Sequence, residues 1–450
     1  MHAVTRNGTI IGLVACAIFL AACGEKDTVL PGKREGLREV LVTDQAEAAA
    51  SEVVGAAGPN VVAPVRLAPA RLNANWTQRI GTPATRAEHP ALSTAPNLIW
   101  TAAIGRGDGE RSRITADPVV AGGRVFTMDA NARVSAHGIN GAALWATSLV
   151  PPTDSPTEGS GGGLAYGDGK LFASTGFGRI SALDPATGRV LWHQALLETG
   201  SATPTVMGKL VYIVAGDETG WALHTDTGRI AWRVSAAPSV NNVLGGPAPA
   251  LSDAYAIFAF GSGEVQGAFR RGGLRMWDAS VAGRRSGLAQ STMTSIAGDP
   301  VIYGDRVYVG NQSGRMSAFQ IANGQRLWTA DEGPMNPVWA TADSVFLISD
   351  KNELVRLRAA DGSRVWGTKL PFFVKSKPKR QAEVFAHYGP ILAGGQLIVA
   401  SNDGYLRFFD PASGGLRGSV AVPGGATTNP VVAGGVLYVV GANGQLYAFR

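Results

Sequence analysis

Two cysteines stand in the 450 residues, Cys16 and Cys23, and none follows. Beyond residue 23 a disulfide framework, a thiolate metal site and a cysteine nucleophile are therefore excluded. Charge is also sparse, at 16% of residues, and 40 Lys and Arg against 34 Asp and Glu leave a net +6 over a large surface. That excess does not point to nucleic acid. The six histidines, His2, His89, His137, His193, His224 and His387, show no metal-ligand spacing. No stretch reaches 18 uninterrupted apolar residues, so a transmembrane helix is not expected. The glycine-rich run 261–267 misses the dinucleotide-binding spacing and reads as a hairpin turn, and Arg106-Gly107-Asp108 is a chance tripeptide in a loop. Neither a metal nor a cofactor is expected.

Glycine, by contrast, is abundant. Fifty-nine glycines are about twice the average usage of roughly 7%, and with 45% hydrophobic residues they indicate many tight turns rather than disorder. The length would hold two or three ordinary domains, or one large all-β unit. At the amino terminus Arg6 precedes a short apolar run, 10–20, that ends in small residues. This is the pattern of a secretory signal peptide, assigned to 1–22. The run closes with Leu20-Ala21-Ala22-Cys23, which resembles the lipobox of bacterial lipoproteins. The resemblance implies acylation of Cys23 and a membrane anchor without a spanning helix. Gly24 replaces the Asp of inner-membrane retention signals, which implies the outer membrane and its periplasmic face. Residues 23–96 are rich in Ala, Pro, Glu and Arg and read as a partly disordered tether.

From residue 97 onward one motif recurs: a Pro-Val pair, a glycine turn, an alternating strand, a second turn, a second strand, and a turn shortly before Trp. The tryptophans Trp145, Trp192, Trp232, Trp277, Trp328 and Trp366 are 47, 40, 45, 51 and 38 residues apart, the period of a four-stranded propeller blade. A seventh copy, 389–416, has no Trp near Leu416 and Arg417, so one seam is expected to be less well filled. An eighth stops at Arg450, where its outer strand should begin. Trp100, 45 residues before Trp145, sits in the strand-like segment that this last copy lacks. The expected fold is all-β, an eight-bladed β-propeller over 97–450 whose last blade is closed by an N-terminal strand. Each repeat tryptophan would fill the wedge between two blades. Trp221 and Trp339 fall outside the pattern.

The segments Asp184-Pro185-Ala186-Thr187-Gly188-Arg189 and Thr225-Asp226-Thr227-Gly228-Arg229 look like the repeat of the quinoprotein (pyrroloquinoline quinone, PQQ) dehydrogenases and their non-enzymatic relatives. With the lipobox and eight blades, the chain resembles the lipoprotein B subunits of the outer-membrane β-barrel assembly machinery; 104–120 looks like the first blade of alphaproteobacterial members. The resemblance implies a non-catalytic scaffold that binds the POTRA domains of the central barrel subunit and works with other assembly lipoproteins. Unfolded outer-membrane proteins would be its clients. It places the partner contact in two loops, Val240, Asn241, Asn242, Val243 and Leu244 in the first, and the region from Arg284 and Arg285 to Ala297 in the second. The family's acidic pair in the second loop is not evident, since Ser295-Ile296-Ala297 stands there.

A PQQ-dependent enzyme is the alternative, as is a scaffold of another envelope complex. A quinoprotein enzyme would need a calcium site and a catalytic base in the central funnel. Asp117 and Asp299, each before a Pro-Val pair, read instead as turn caps. The insertion 371–380 combines Phe372, Phe373 and Val374 with Lys375, Lys377, Lys379 and Arg380. It reads as a solvated loop or as a contact for an acidic surface or anionic lipid.

Overall fold

The computed structural model describes residues 60–196, 202–237, 246–283, 295–296 and 298–450. Eight four-stranded antiparallel sheets follow one another. Blades 1 to 7 occupy 119–148, 164–195, 205–235, 250–280, 301–330, 339–369 and 387–421. In blade 1 the inner strand is Val119–Ala121, followed by Arg124–Met128, Arg133–Gly138 and the outer strand Ala143–Ser148. Middle strands are mostly buried, completely so in Val436–Val440, whereas outer strands such as Ala143–Ser148 alternate between exposed and half-buried residues. The buried clusters lie between successive sheets. Short alternating strands separated by glycine turns cannot bury both faces alone, and stacking blades around a ring supplies the second face.

Blade 8 joins the two ends of the described chain. Its outer strand, Leu98–Ala103, pairs with Gln445–Phe449, placing Trp100 opposite Ala448 and Thr101 opposite Tyr447. Asn97 and Arg450 exchange backbone hydrogen bonds of 2.7 and 2.9 Å. The closure expected from sequence is present, and it leaves no break at the seam.

The meander defines two faces. One carries the turns from inner to second strand and from third to outer strand; the other carries the second-to-third hairpins and the connections between blades.

Residues 60–96 depart from the tether reading. Trp76 is fully buried, and Gln78, Ile80 and Arg86 are nearly so. The eight inner strands present unpaired backbone edges to the channel, where buried N–H and C=O groups need partners. This segment supplies them in ring order. Asn73 donates to Val432 of blade 8 and Trp76 exchanges two 2.8 Å bonds with Val120 of blade 1. Thr77 accepts from Tyr166 of blade 2, and the Gln78 amide accepts from Val206 of blade 3. Pro83 and Ala84 accept from Leu251 and Ile302 of blades 4 and 5. Arg86 donates to Pro337, at the start of blade 6, and Pro90 accepts from Gly394 of blade 7. The segment thus makes one turn around the channel, touching every blade.

Candidate partner-binding face

The seams fix the blades that present this face. Six repeat tryptophans donate their indole N–H to a carbonyl of the following blade, for example Trp145 to Pro185 at 3.1 Å and Trp192 to Thr225 at 3.0 Å. Trp100, Trp277, Trp328 and Trp366 do the same toward Ile139, Ile321, Ala359 and Pro411. Each indole also lies over a glycine in that blade's third-to-outer hairpin: a Cβ on Gly228 would come within 2.6 Å of Trp192. Trp232 is the exception, its N–H lacking a partner among the described residues. The carbonyl at the corresponding place, that of Arg270, is taken by the Tyr212 hydroxyl at 2.8 Å.

In blade 7 the repeat position is not Leu416 or Arg417 but Gly418, the third residue of the outer strand Leu416–Ala421. A Cβ there would meet nothing within 4 Å. The vacancy has a cause. An indole at this position would rest on a third-to-outer hairpin in blade 8, and blade 8 has none, because its outer strand arrives from the other end of the chain. Of the two unplaced tryptophans, Trp221 is buried in the third strand of blade 3 under the Arg233 guanidinium, and Trp339 lies in the inner strand of blade 6 against Arg86.

Asp117 and Asp299 do accept backbone or side-chain hydrogen bonds at strand starts, from Asn429 and Ala248. Their larger role is electrostatic, which corrects the reading as simple turn caps. They come from blades 1 and 5, opposite each other, and Arg79 of the channel segment stands 3.4 Å from both. Burial pushes both carboxyls up, partly offset by Arg79. Burial works against the Arg79 charge, yet Asp299 and Asp117 more than compensate and leave its pKa raised. Arg86 is lowered to about 10 by burial.

A cavity of about 580 Å³ adjoins this cluster, with Asp108, Arg113, Asn336, Tyr388 and Thr427 in its walls. Burial raises the Tyr388 hydroxyl to about 12, so it stays a neutral hydrogen-bonding group. A second cavity of about 240 Å³ shares Asn336 and Tyr388 with it and lies beside Phe372, Val384 and Phe385.

The partner residues Val240, Asn241, Asn242, Val243, Leu244, Arg284 and Arg285 lie outside the described residues, as does Cys23. The chain on either side of the two loops is described and firmly held. Before the first, Ala236 donates to Glu218 and Ser235 accepts from Gln266; after it, Ala248 donates to Asp299. Before the second, Asn311 and Ser313 donate to Gly283; at its end Gln312 donates to Ser295. Both segments join blades, 3 to 4 and 4 to 5, and the described strands that flank them end and begin on the same face. The insertion 371–380 is there too, and it is not a featureless loop. Phe373 pairs with Val384, Val374 donates to Glu383 and Phe385 donates to Phe372, forming a short two-stranded arm with a 3-10 turn at Pro378–Arg380. Sequence reading missed the pairing because Val384 and Phe385 lie beyond the basic run and follow no repeat spacing.

The model of the family described as outer membrane protein assembly factor BamB matches residues 130–368 and 374–450, well over half of the chain. The chain belongs to the BamB family. A BamB of Shewanella oneidensis is 26% identical over 361 residues, covering 78% of this chain and 88% of the relative. Among solved structures, BamB from Moraxella catarrhalis superposes with a TM-score of 0.64 at 17% identity, over 79% of this chain and all of that one. The quinohemoprotein alcohol dehydrogenase of Comamonas testosteroni gives 0.62 at 15% identity, over 85% and 81%. At such identities these likenesses concern the propeller fold alone. The two BamB family matches break at 369–373, where the arm leaves blade 6.

Proposed function

We propose that this BamB-family chain is a non-catalytic scaffold lipoprotein of the machinery that assembles outer-membrane β-barrel proteins. Acylated Cys23 would hold it to the outer membrane on the periplasmic side. The face that carries the connections between blades would bind the POTRA domains of the central barrel subunit through the loops with Val240, Asn241, Asn242, Val243, Leu244, Arg284 and Arg285. The observation that carries this reading is the family match along the ring. The chain flanking both loops is hydrogen-bonded into neighbouring blades, which supports it by fixing where the loops leave the ring. Val243 and Leu244 would serve as apolar anchors.

Clients are the second half of the reading. Outer strands are the free edges of the blades, and they expose apolar residues near their starts: Leu98, Leu144, Leu191, Ile230, Met276 and Leu416. An extended client strand could add to such an edge by backbone pairing. The non-catalytic reading is favoured by the channel chemistry. The carboxylates of Asp117 and Asp299, which a cation site in the funnel would call upon, are committed to Arg79, and the channel segment occupies the inner-strand edges. Photo-crosslinkers at Val243 and Leu244 test the partner assignment. Adducts with the central barrel subunit are expected, and their absence in cells where the protein is present would overturn it.

A further inference from the structure

The arm at 371–386 concentrates a residue type the chain otherwise avoids. Nine lysines stand in the whole sequence against 31 arginines, and five of the nine, Lys351, Lys369, Lys375, Lys377 and Lys379, lie between 351 and 379. With Arg380 they make six exposed cations on one face. None forms an ion pair with a described carboxylate, and the arm's own acidic residue is Glu383 alone. Nearby acids are engaged elsewhere: Glu353 pairs with Arg364 at 2.9 Å, and Asp403 with Arg407. Beside the charges, Phe373, Val374 and Val384 are about 40% exposed, although Phe372 and Phe373 pack ring to ring at 4.6 Å.

The base of the arm is rigid. Asn352, next to Lys351, donates to the Phe385 carbonyl at 2.9 Å, His387 bonds the Pro371 carbonyl at 2.7 Å, and Ala386 exchanges two bonds with Asn402. Lys375, Lys377, Lys379 and Arg380 are therefore carried with the apolar side chains on one short element, with Lys351 and Lys369 of blade 6 at its base. Unpaired cations ask for an anionic partner, and the kind of cation separates the two candidates. Protein interfaces are depleted in lysine and enriched in arginine, whose planar fork pairs bidentately with carboxylates. Here a chain that uses arginine over lysine by more than three to one inverts its preference within the arm, to three lysines and one arginine. Lysine clusters flanked by exposed aromatic and aliphatic side chains suit a bilayer surface, where the ammonium groups meet anionic headgroups and the apolar tip enters the interface.

We propose that the arm is a membrane-contacting element that reaches a bilayer bearing anionic headgroups from the side of blades 6 and 7, away from the connections of blades 3 to 5. Its apolar tip, Phe373, Val374 and Val384, enters the interface beneath a collar of lysines. The proposal stands apart from the partner assignment, because the result that supports it is obtained with lipid alone. In the full chain with Cys16 and Cys23 replaced by Ala, Ser376→Cys supplies the single thiol for a polarity-sensitive dye. On vesicles with about 30% phosphatidylglycerol in phosphatidylcholine, the dye should shift to the blue and be quenched by a bilayer-embedded quencher. On pure phosphatidylcholine it should not. At roughly 1 kcal/mol per basic residue near such a surface, the triple variant K375E/K377E/K379E should need about 100-fold more anionic lipid for the same shift. Its unfolding midpoint should match the parent's, since these side chains are exposed and form no ion pair with a described carboxylate. No shift on anionic vesicles, an equal shift on neutral ones, or a shift indifferent to charge reversal would each overturn the proposal. A shift that appears only when an acidic protein from solubilised membranes is added would also overturn it and assign the arm to a protein contact.

Discussion

At each of seven seams an indole rests on a glycine of the next blade, and these glycines share a backbone that only glycine adopts cheaply. Gly414 has φ +72°, and a Cβ on it would come within 2.6 Å of the Trp366 ring. Gly418, four residues on, faces open space. The same substitution at the two positions should therefore give opposite results. Gly414→Ala combines left-handed strain with overpacking and should cost roughly 2–4 kcal/mol. Gly418→Ala, in an outer strand, should be neutral or stabilising by up to about 1 kcal/mol. Urea unfolding of both variants checks this, and equal effects would contradict the seam description. The tryptophans and the glycines of Thr187-Gly188-Arg189 and Thr227-Gly228-Arg229 were legible in the sequence as a period. That the glycine four residues before Trp145, Trp192, Trp232, Trp277, Trp328 and Trp366 serves the preceding blade's indole was not, because a repeat shows what recurs and not which neighbour it touches.

Among the elements, the blades and their closure by Leu98–Ala103 followed from turn spacing and alternation. The channel segment did not. Residues 60–96 have neither alternation nor helical period, and their hydrogen bonds run to all eight blades, so no local pattern records them. Yet Trp76, Gln78 and Arg86 are as buried as any core residue. Arg79 is the sharpest test of this element. Arg79→Gln removes the guanidinium and leaves two buried carboxyls facing each other across the channel, which should cost about 3–5 kcal/mol near neutral pH. The sign of the pH dependence follows from the direction of the shifts. Asp117 and Asp299 already sit above the usual carboxyl range through burial, and losing Arg79 raises them further. A carboxyl raised in the folded state holds its proton there longer than in the unfolded chain. Its stabilisation is full below the unfolded value and is lost as pH rises through the folded one. The deficit of Arg79→Gln should therefore be smaller at acidic than at alkaline pH, measured by unfolding across that range. A deficit independent of pH would argue that Arg79 acts through packing alone.

For the whole molecule, the ring is a rigid frame with two unlike faces. One is closed by the channel segment; the other carries the long connections, the open cavity and the arm. Family membership and the fold were both reachable from the repeat, whereas the partner loops were reachable only by resemblance, since nothing in Val240 to Leu244 differs chemically from an ordinary apolar turn. The arm shows the converse: its charges stood out in the sequence, but the pairing of Phe373 with Val384 that makes it an element appears only in three dimensions. The proposed role of this frame is that of a scaffold within outer-membrane protein assembly. Affinity purification of the tagged full chain from gently solubilised membranes tests it most directly. Recovery of the barrel-forming subunit with its POTRA domains is expected, and loss of that subunit when Val243 and Leu244 are both replaced by Asp in a chain that still folds. Recovery of a different envelope complex, with the barrel subunit absent, would contradict it.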